Sequence, residues 1–389
     1  MSLSNITLSA SVRQNLLSLQ GTADLLATTQ GRLATGKKVN SALDNPTNFF
    51  TAAGLDSRAS DISNLLDSIG NGVQVLQAAN TGITSLSKLV DTAKSIANQV
   101  LQQPSGYTAK STVTSAAALG GTAANLVDGV TIKSGQTIIV AANGSLPALT
   151  VTIGASESLD QLNTALAAGN LTASLDSANK LVITTTNDYA SSTIGAVTVG
   201  SGNGTASFAA AVAPVADAVS QATRASLVGQ YNQIISQITT TAQDASFNGI
   251  NLLNGDSLKL VFNETGKSTS TITGVTFSPT GLGLAALTSG TDFLDNSSTN
   301  AVLTKLNTAS TTLRSQASAF GANLSIVQIR QDFNKNIINV LQTGSSALTL
   351  ADSNEEAANS QALSTRQSIA TSALSLANQS QQSVLQLLR

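Results

Sequence analysis

The chain has 389 residues, 41% of them hydrophobic, 3% aromatic and 10% charged, with a net charge of −2 and no Cys, His or Trp. The missing Cys and His exclude disulfides, thiol chemistry and the usual zinc donor sets, and no run of Lys or Arg is long enough to attract nucleic acid or an anionic membrane. No apolar run approaches the roughly 20 residues that span a bilayer, and the first residues lack the basic and apolar regions of a secretory signal. The expectation is a chain without cofactor, metal, nucleic-acid or membrane partner, exported, if at all, without a cleaved signal peptide.

In chain order, residues 1–44 read as a helix. Leu8, Val12, Leu16, Leu19, Ala23, Leu26 and Leu33 follow steps of three and four. Gly36 and the Asp44-Asn45-Pro46 cluster interrupt that stripe. Residues 45–106 hold a second helical stretch, starting near Asp56, with a heptad stripe through Ile62, Leu66, Ile69, Val73, Leu76, Ile83, Val90, Ala97 and Leu101. Gly70, Gly72 and Gly82 lie inside it, each costing about 1 kcal/mol against Ala, so neighbouring helices must hold it straight. Phe49-Phe50 is expected to pack in a core.

Residues 107–222 change to Gly, Thr, Ser and Val. Alternating runs at Val130–Lys133, Thr137–Val140, Leu149–Ile153 and Leu181–Thr184 read as strands around one helix, Glu157–Ala168. This predicts a small inserted α+β domain. Residues 223–298 return to a helix, on Leu227, Tyr231, Ile234 and Ile238, followed by a hairpin-like stretch opened by Phe247-Asn248-Gly249. Two long helices close the chain. One spans 299–350, on Leu306, Leu313, Phe320, Leu324, Val327, Ile338 and Leu341. The other spans 351–389, on Ile369, Ala373, Leu376, Ser380, Val384 and Leu387.

Gly31-Arg-Leu-Ala-Thr-Gly-Lys-Lys-Val-Asn-Ser-Ala-Leu-Asp44, Phe247-Asn248-Gly249 with Leu252-Leu253, and the closing Ala373–Ser380 helix resemble bacterial flagellins, most of all the alphaproteobacterial ones. The resemblance covers about residues 1–105 and 223–389. It implies a mainly α fold, with long coiled-coil-like terminal helices forming a filament core, a β-hairpin and the α+β insert on the surface. In flagellins of the enteric bacteria the insert follows the hairpin; here it precedes it. The resemblance also implies self-assembly into an extracellular flagellar filament, export by the flagellar apparatus with a flagellin chaperone, and contact with hook-associated junction and cap proteins. A hook–filament junction protein, which shares such ends, is the alternative. An enzyme is not expected, since the zinc protease carried by some flagellins needs His.

The subunit interface of the inner core is expected at Leu8, Val12, Leu16, Leu19, Leu26, Leu33, Ile369, Leu376, Val384 and Leu387. Arg32, Lys37 and Lys38 are candidates for ion pairs between subunits, or a solvated helix end.

Overall fold

The computed structural model describes residues 10–200 and 204–387, so Leu8 lies outside the described residues. The elements run α1 (Ala10–Thr35), α2 (Pro46–Gln102), β1 (Tyr107–Ala109), β2 (Thr112–Thr114), β3 (Thr137–Val140), β4 (Leu149–Thr152), α3 (Leu159–Leu166), β5 (Leu171–Leu175) and β6 (Leu181–Thr185). They continue with β7 (Val197–Gly200), β8 (Val215–Ala216), α4 (Ala218–Asp244), β9 (Ser257–Val261), β10 (Thr269–Thr273), α5 (Asn296–Thr349) and α6 (Ser353–Leu387).

The chain divides into two compact units. One holds Met1–Asn71, Leu260–Ser270 and Ile326–Arg389; the other holds Gly72–Lys259 and Thr271–Ser325. The helices α2 and α5 and the β9–β10 hairpin run through both.

Local chemistry sets the helix ends. Gly36, at φ +68°, stops α1 in the left-handed region that favours glycine. The Asn45 side chain accepts from the N–H of Asn48 at 3.0 Å and Pro46 takes the first helical position, so α2 begins ten residues before Asp56. The Asn-Pro pair that reads as a break is a start signal. Asp217 caps α4, accepting from Ser220 N–H at 3.3 Å. This helix too starts earlier than its apolar stripe suggests.

In the first unit, α1 packs against α6, and α2 packs against α5 through Ala59, Ile62 and Leu341, flanked by Leu55, Ile337 and Ile338. Phe49 is half-buried, but Phe50 is 64% exposed and does not enter a core. The two rings meet edge-on at 5.5 Å. They follow each other on α2, and one turn of helix cannot aim both inward.

In the second unit, α4 buries Leu227, Tyr231, Ile235 and Ile238. Gly82 of α2 lies so close to its neighbours that a Cβ there would stand 2.6 Å from Ala245 Cβ and 2.6 Å from Leu253 Cδ1. Arg224 is 1% exposed; its Nη2 and Nε donate to the Pro104 carbonyl at 2.8 and 3.2 Å, and its Nη1 donates to the Phe293 carbonyl at 2.9 Å.

The insert, in the same unit, has two antiparallel three-stranded sheets, β2-β6-β5 and β4-β3-β7. Their inward residues, among them Val113, Ile183, Ile138 and Val151, form one core with Leu162 and Leu166 of α3. A capping box between Ser158 and Gln161 starts α3. The expected strand at Val130–Lys133 is absent. The Asp128 carboxylate instead gathers the N–H groups of Gly120 (2.7 Å), Val130 (2.8 Å), Thr131 (2.7 Å) and Ile132 (3.1 Å), with the Thr131 hydroxyl, into a turn. A side chain that occupies these donors leaves none for a ladder.

Candidate functional site

The helices α1 and α6 pack against each other. On α1, Val12, Thr22 and Thr29 are buried and Leu16, Leu19 and Leu26 half-buried. On α6, Glu356 is buried and Ser360, Leu363, Gln367, Ala370, Leu374 and Ala377 are half-buried, again in steps of three and four. The packed α6 stripe therefore lies one residue away from the expected one. Ile369 is 64% and Leu376 68% exposed, Leu33 is 43% exposed, and Leu17 and Leu25 of α1 also face outward. The side chains of Val384 and Leu387 lie outside the described residues. Small residues explain the shift: Ala370 and Ala377 let two helix backbones approach, while the larger side chains beside them are left in solvent.

Arg32 Nη1 reaches Glu356 Oε1 at 3.2 Å. This ion pair is made within the chain. Lys37 and Lys38 are exposed and pair with no carboxylate among the described residues. An open groove of about 550 Å³ runs beside this ion pair, with Leu25 and Leu363 on its walls.

The Gly36–Asp44 run now has a physical account. Past Gly36, the chain pairs with the turn between α5 and α6: Lys38 N–H donates to the Thr349 carbonyl at 2.8 Å, and Ala351 N–H to the Gly36 carbonyl at 3.0 Å. Asp44 then closes the loop, accepting from the N–H groups of Asn40 and Ser41, each at 2.9 Å. Hydrogen bonds from the Ser41 and Asn40 backbone hold its carboxyl below the usual carboxylate range.

The hairpin tip packs on α2 and α5. Arg58 Nε meets Glu264 Oε1 at 2.6 Å, Asn334 Nδ2 donates to the Phe262 carbonyl at 3.0 Å, and the Arg330 guanidinium stands 5.8 Å from the Phe262 ring centroid. These groups border a cavity of about 230 Å³. Along the outer flank of α5, Ile326, Ile329, Phe333 and Val340 are all more than half exposed.

Phe247, Asn248 and Gly249 do not belong to the β9–β10 strands. They make a turn of their own, in which Phe247 and Ile250 exchange N–H···O bonds of 3.0 Å, with Asn248 at φ 49° and Gly249 at φ 79°. The Asn-Gly pair thus turns the chain ahead of β9 and β10, in the place of a hairpin opener, and is not the connection between the two strands.

The exposed apolar rows on α1 and α6 include Leu33, Ile369 and Leu376 of the expected interface, whereas the row on α5 lies outside it. Their signal is present in the sequence as a second stripe beside each packed one. Among the described residues no three His, Cys, Asp or Glu side chains gather where they could hold a metal ion, and no helix is long and apolar enough to cross a membrane.

Comparison with known proteins finds two matching family models. The bacterial flagellin N-terminal helical region matches residues 5–128, and the bacterial flagellin C-terminal helical region matches residues 303–388. Flagellin FljM of Caulobacter vibrioides is 32% identical over 165 residues, which cover 42% of this chain and 59% of that protein. Flagellins FljO and FljK of the same organism are each 30% identical over 165 residues, with the same coverage. The chain thus spans about 59% of the length of the curated relatives it matches.

Proposed function

The chain belongs to the bacterial flagellins, and from that premise we propose that it is a structural subunit that polymerises into the helical flagellar filament used for swimming. One observation carries the reading. Each terminal helix is already paired within the chain, yet α1, α5 and α6 still expose large apolar side chains such as Leu25, Ile329, Phe333, Ile369 and Leu376. A row of this size is not solvated without cost. Fully burying one such side chain contributes about 1.5–3 kcal/mol. Several together offset the roughly 4–15 kcal/mol of freedom lost on association. Different faces meeting across copies give an open helical array when the rotation between copies does not close a ring.

The inner-core assignment rests on the same geometry. Val12, Leu16, Leu19 and Leu26 hold α1 to α6, and Leu33, Ile369 and Leu376 are left for neighbouring copies. The filament would lie outside the cell. The remaining partners follow from the family: the flagellar export apparatus, a chaperone that covers the C-terminal helix, and the junction and cap proteins at the filament ends. A catalytic role has no support in the donor set. The relatives are named as flagellins, which favours a filament subunit over a hook–filament junction protein.

The test is electron microscopy of the purified chain after seeding with filament fragments. Long tubes that incorporate the added protein are expected. A chain that stays monomeric with active seeds at high concentration removes the proposal. Sheared filaments separate the two flagellar roles, because a filament subunit dominates them and a junction protein is scarce.

A further inference from the structure

Two outward faces in the first unit are complementary. On α5, Ile326, Ile329, Phe333 and Val340 make a large apolar ridge. Arg330 stands within it, held over the Phe262 ring, with no carboxylate partner among the described residues. On α2, the face turned away from Ala59 and Ile62 carries Gly54, Ser57, Asp61, Asn64 and Ser68, all exposed. These repeat in steps of three and four, so they form one continuous stripe. Its side chains are short and polar, so the helix surface is low here, and a Cβ added at Gly54 meets nothing within 4 Å. Asp61, the acid on this stripe, has no ion-pair or hydrogen-bond partner among the described residues.

Resting on the filament reading, we propose that the α5 ridge of one copy seats on the α2 stripe of a second copy, with Arg330 pairing to Asp61 of that copy. Three arguments choose this occupant. Large side chains on one helix and small ones on another allow ridges to enter grooves. The charges match in sign, and a guanidinium can meet a carboxylate with two parallel hydrogen bonds, which fixes register. A symmetric meeting of two α5 ridges would set Arg330 against its own copy and pack large against large. The ridge-in-groove contact uses two different patches, so each copy keeps a free patch for the next one unless the rotation closes a ring.

The test uses the full chain with seeds cut from its own filaments, elongation being followed by light scattering and electron microscopy. Arg330→Asp and Asp61→Arg should each raise the critical concentration about tenfold. Asp61 is exposed and has no side-chain partner among the described residues, so circular dichroism and melting of the Asp61→Arg monomer should not change, while the Arg330→Asp monomer, which loses the contact with the Phe262 ring, should stay folded and melt slightly lower. The Arg330→Asp/Asp61→Arg double variant should recover most of the loss. Gly54→Leu, whose Cβ has open space around it, should stop elongation while leaving the monomer folded. Because the chain has no Cys, mixed filaments of Arg330→Cys and Asp61→Cys chains should give cross-copy dimers with a short bis-maleimide. Wild-type elongation by both charge reversals, or a double variant no better than the single ones, overturns the pairing. A wild-type chain that does not elongate on seeds overturns the filament reading instead.

Discussion

Asp128 is the residue around which the insert's longest irregular stretch is organised. Burial works against its charge, but hydrogen bonds from the Thr131 hydroxyl and from the N–H groups of Val130, Gly120 and Ile132 outweigh it and hold the carboxyl far below the usual range. A carboxyl held lower in the folded state than in the unfolded one stabilises fully above the unfolded value of about 3.9. That contribution fades as pH falls from there through the folded-state value. Asp128→Ala should therefore lower insert stability by about 1.5–3 kcal/mol at neutral pH. It should also flatten the acid-induced loss that the wild type shows below about pH 4. Denaturant titrations at neutral and acid pH measure both; parallel curves for the two proteins at every pH would remove Asp128 from this role. Arg224 gives a second prediction at this scale. It feeds three donors into the Pro104 and Phe293 carbonyls from a fully buried position. Arg224→Lys keeps the charge but cannot reproduce the planar fork, and should cost about 1–3 kcal/mol in chemical denaturation. A change of under about 0.5 kcal/mol would show that the fork is not needed.

At the scale of elements, period was the legible signal and side-chain competition was not. The heptad steps of α2 and α5 could be read directly, because large apolar residues mark their packed faces over many turns. On α6 the same rule chose Ile369 and Leu376, one residue from the packed Ala370 and Ala377. Hydrophobic size points to whichever face will be buried last as readily as to the one buried first. The Val130 run has strand composition, but Asp128 takes its backbone donors. The strands β5 and β7 went unread because Ala173 and Gly200 weaken their alternation. Glycines in helices split in a similar way. Gly70 and Gly82 both suggest close packing, yet only Gly82 touches immovable neighbours, since a Cβ at Gly70 would meet just Gln331 Nε2, at 3.9 Å. Gly82→Leu should thus lose about 1–3 kcal/mol from overpacking, more than the up to about 1 kcal/mol gained by removing a helical glycine. A thermal melt of Gly82→Leu decides it; a variant melting above the wild type would refute the close approach.

For the whole molecule, the question is what the insert owes to the helices and they to it. Its two ends leave the helical part side by side: the N–H of Asp217 donates to the Gly106 carbonyl at 2.9 Å, and β1 pairs with β8 just beyond. Its core is its own, built from β2–β7 and α3 with no residue of α2, α4 or α5. Its ties to the helical part are polar and few, chiefly Ser191 to Asp295 and Asp188 to Asn296. Removing 107–216 and joining Gly106 to Asp217 through a short glycine linker therefore leaves α2 and α4 connected across a gap they already close. The deleted segment contains none of the exposed apolar rows on α1, α5 and α6. The shortened chain should melt as cooperatively as the parent and elongate on seeds at a critical concentration within about threefold, which corresponds to under 1 kcal/mol. The comparison is made on the same seeds by light scattering, with microscopy confirming tubes. A folded but non-elongating chain would mean that the insert takes part in the lattice, and the assembly surface would then extend beyond the terminal helices.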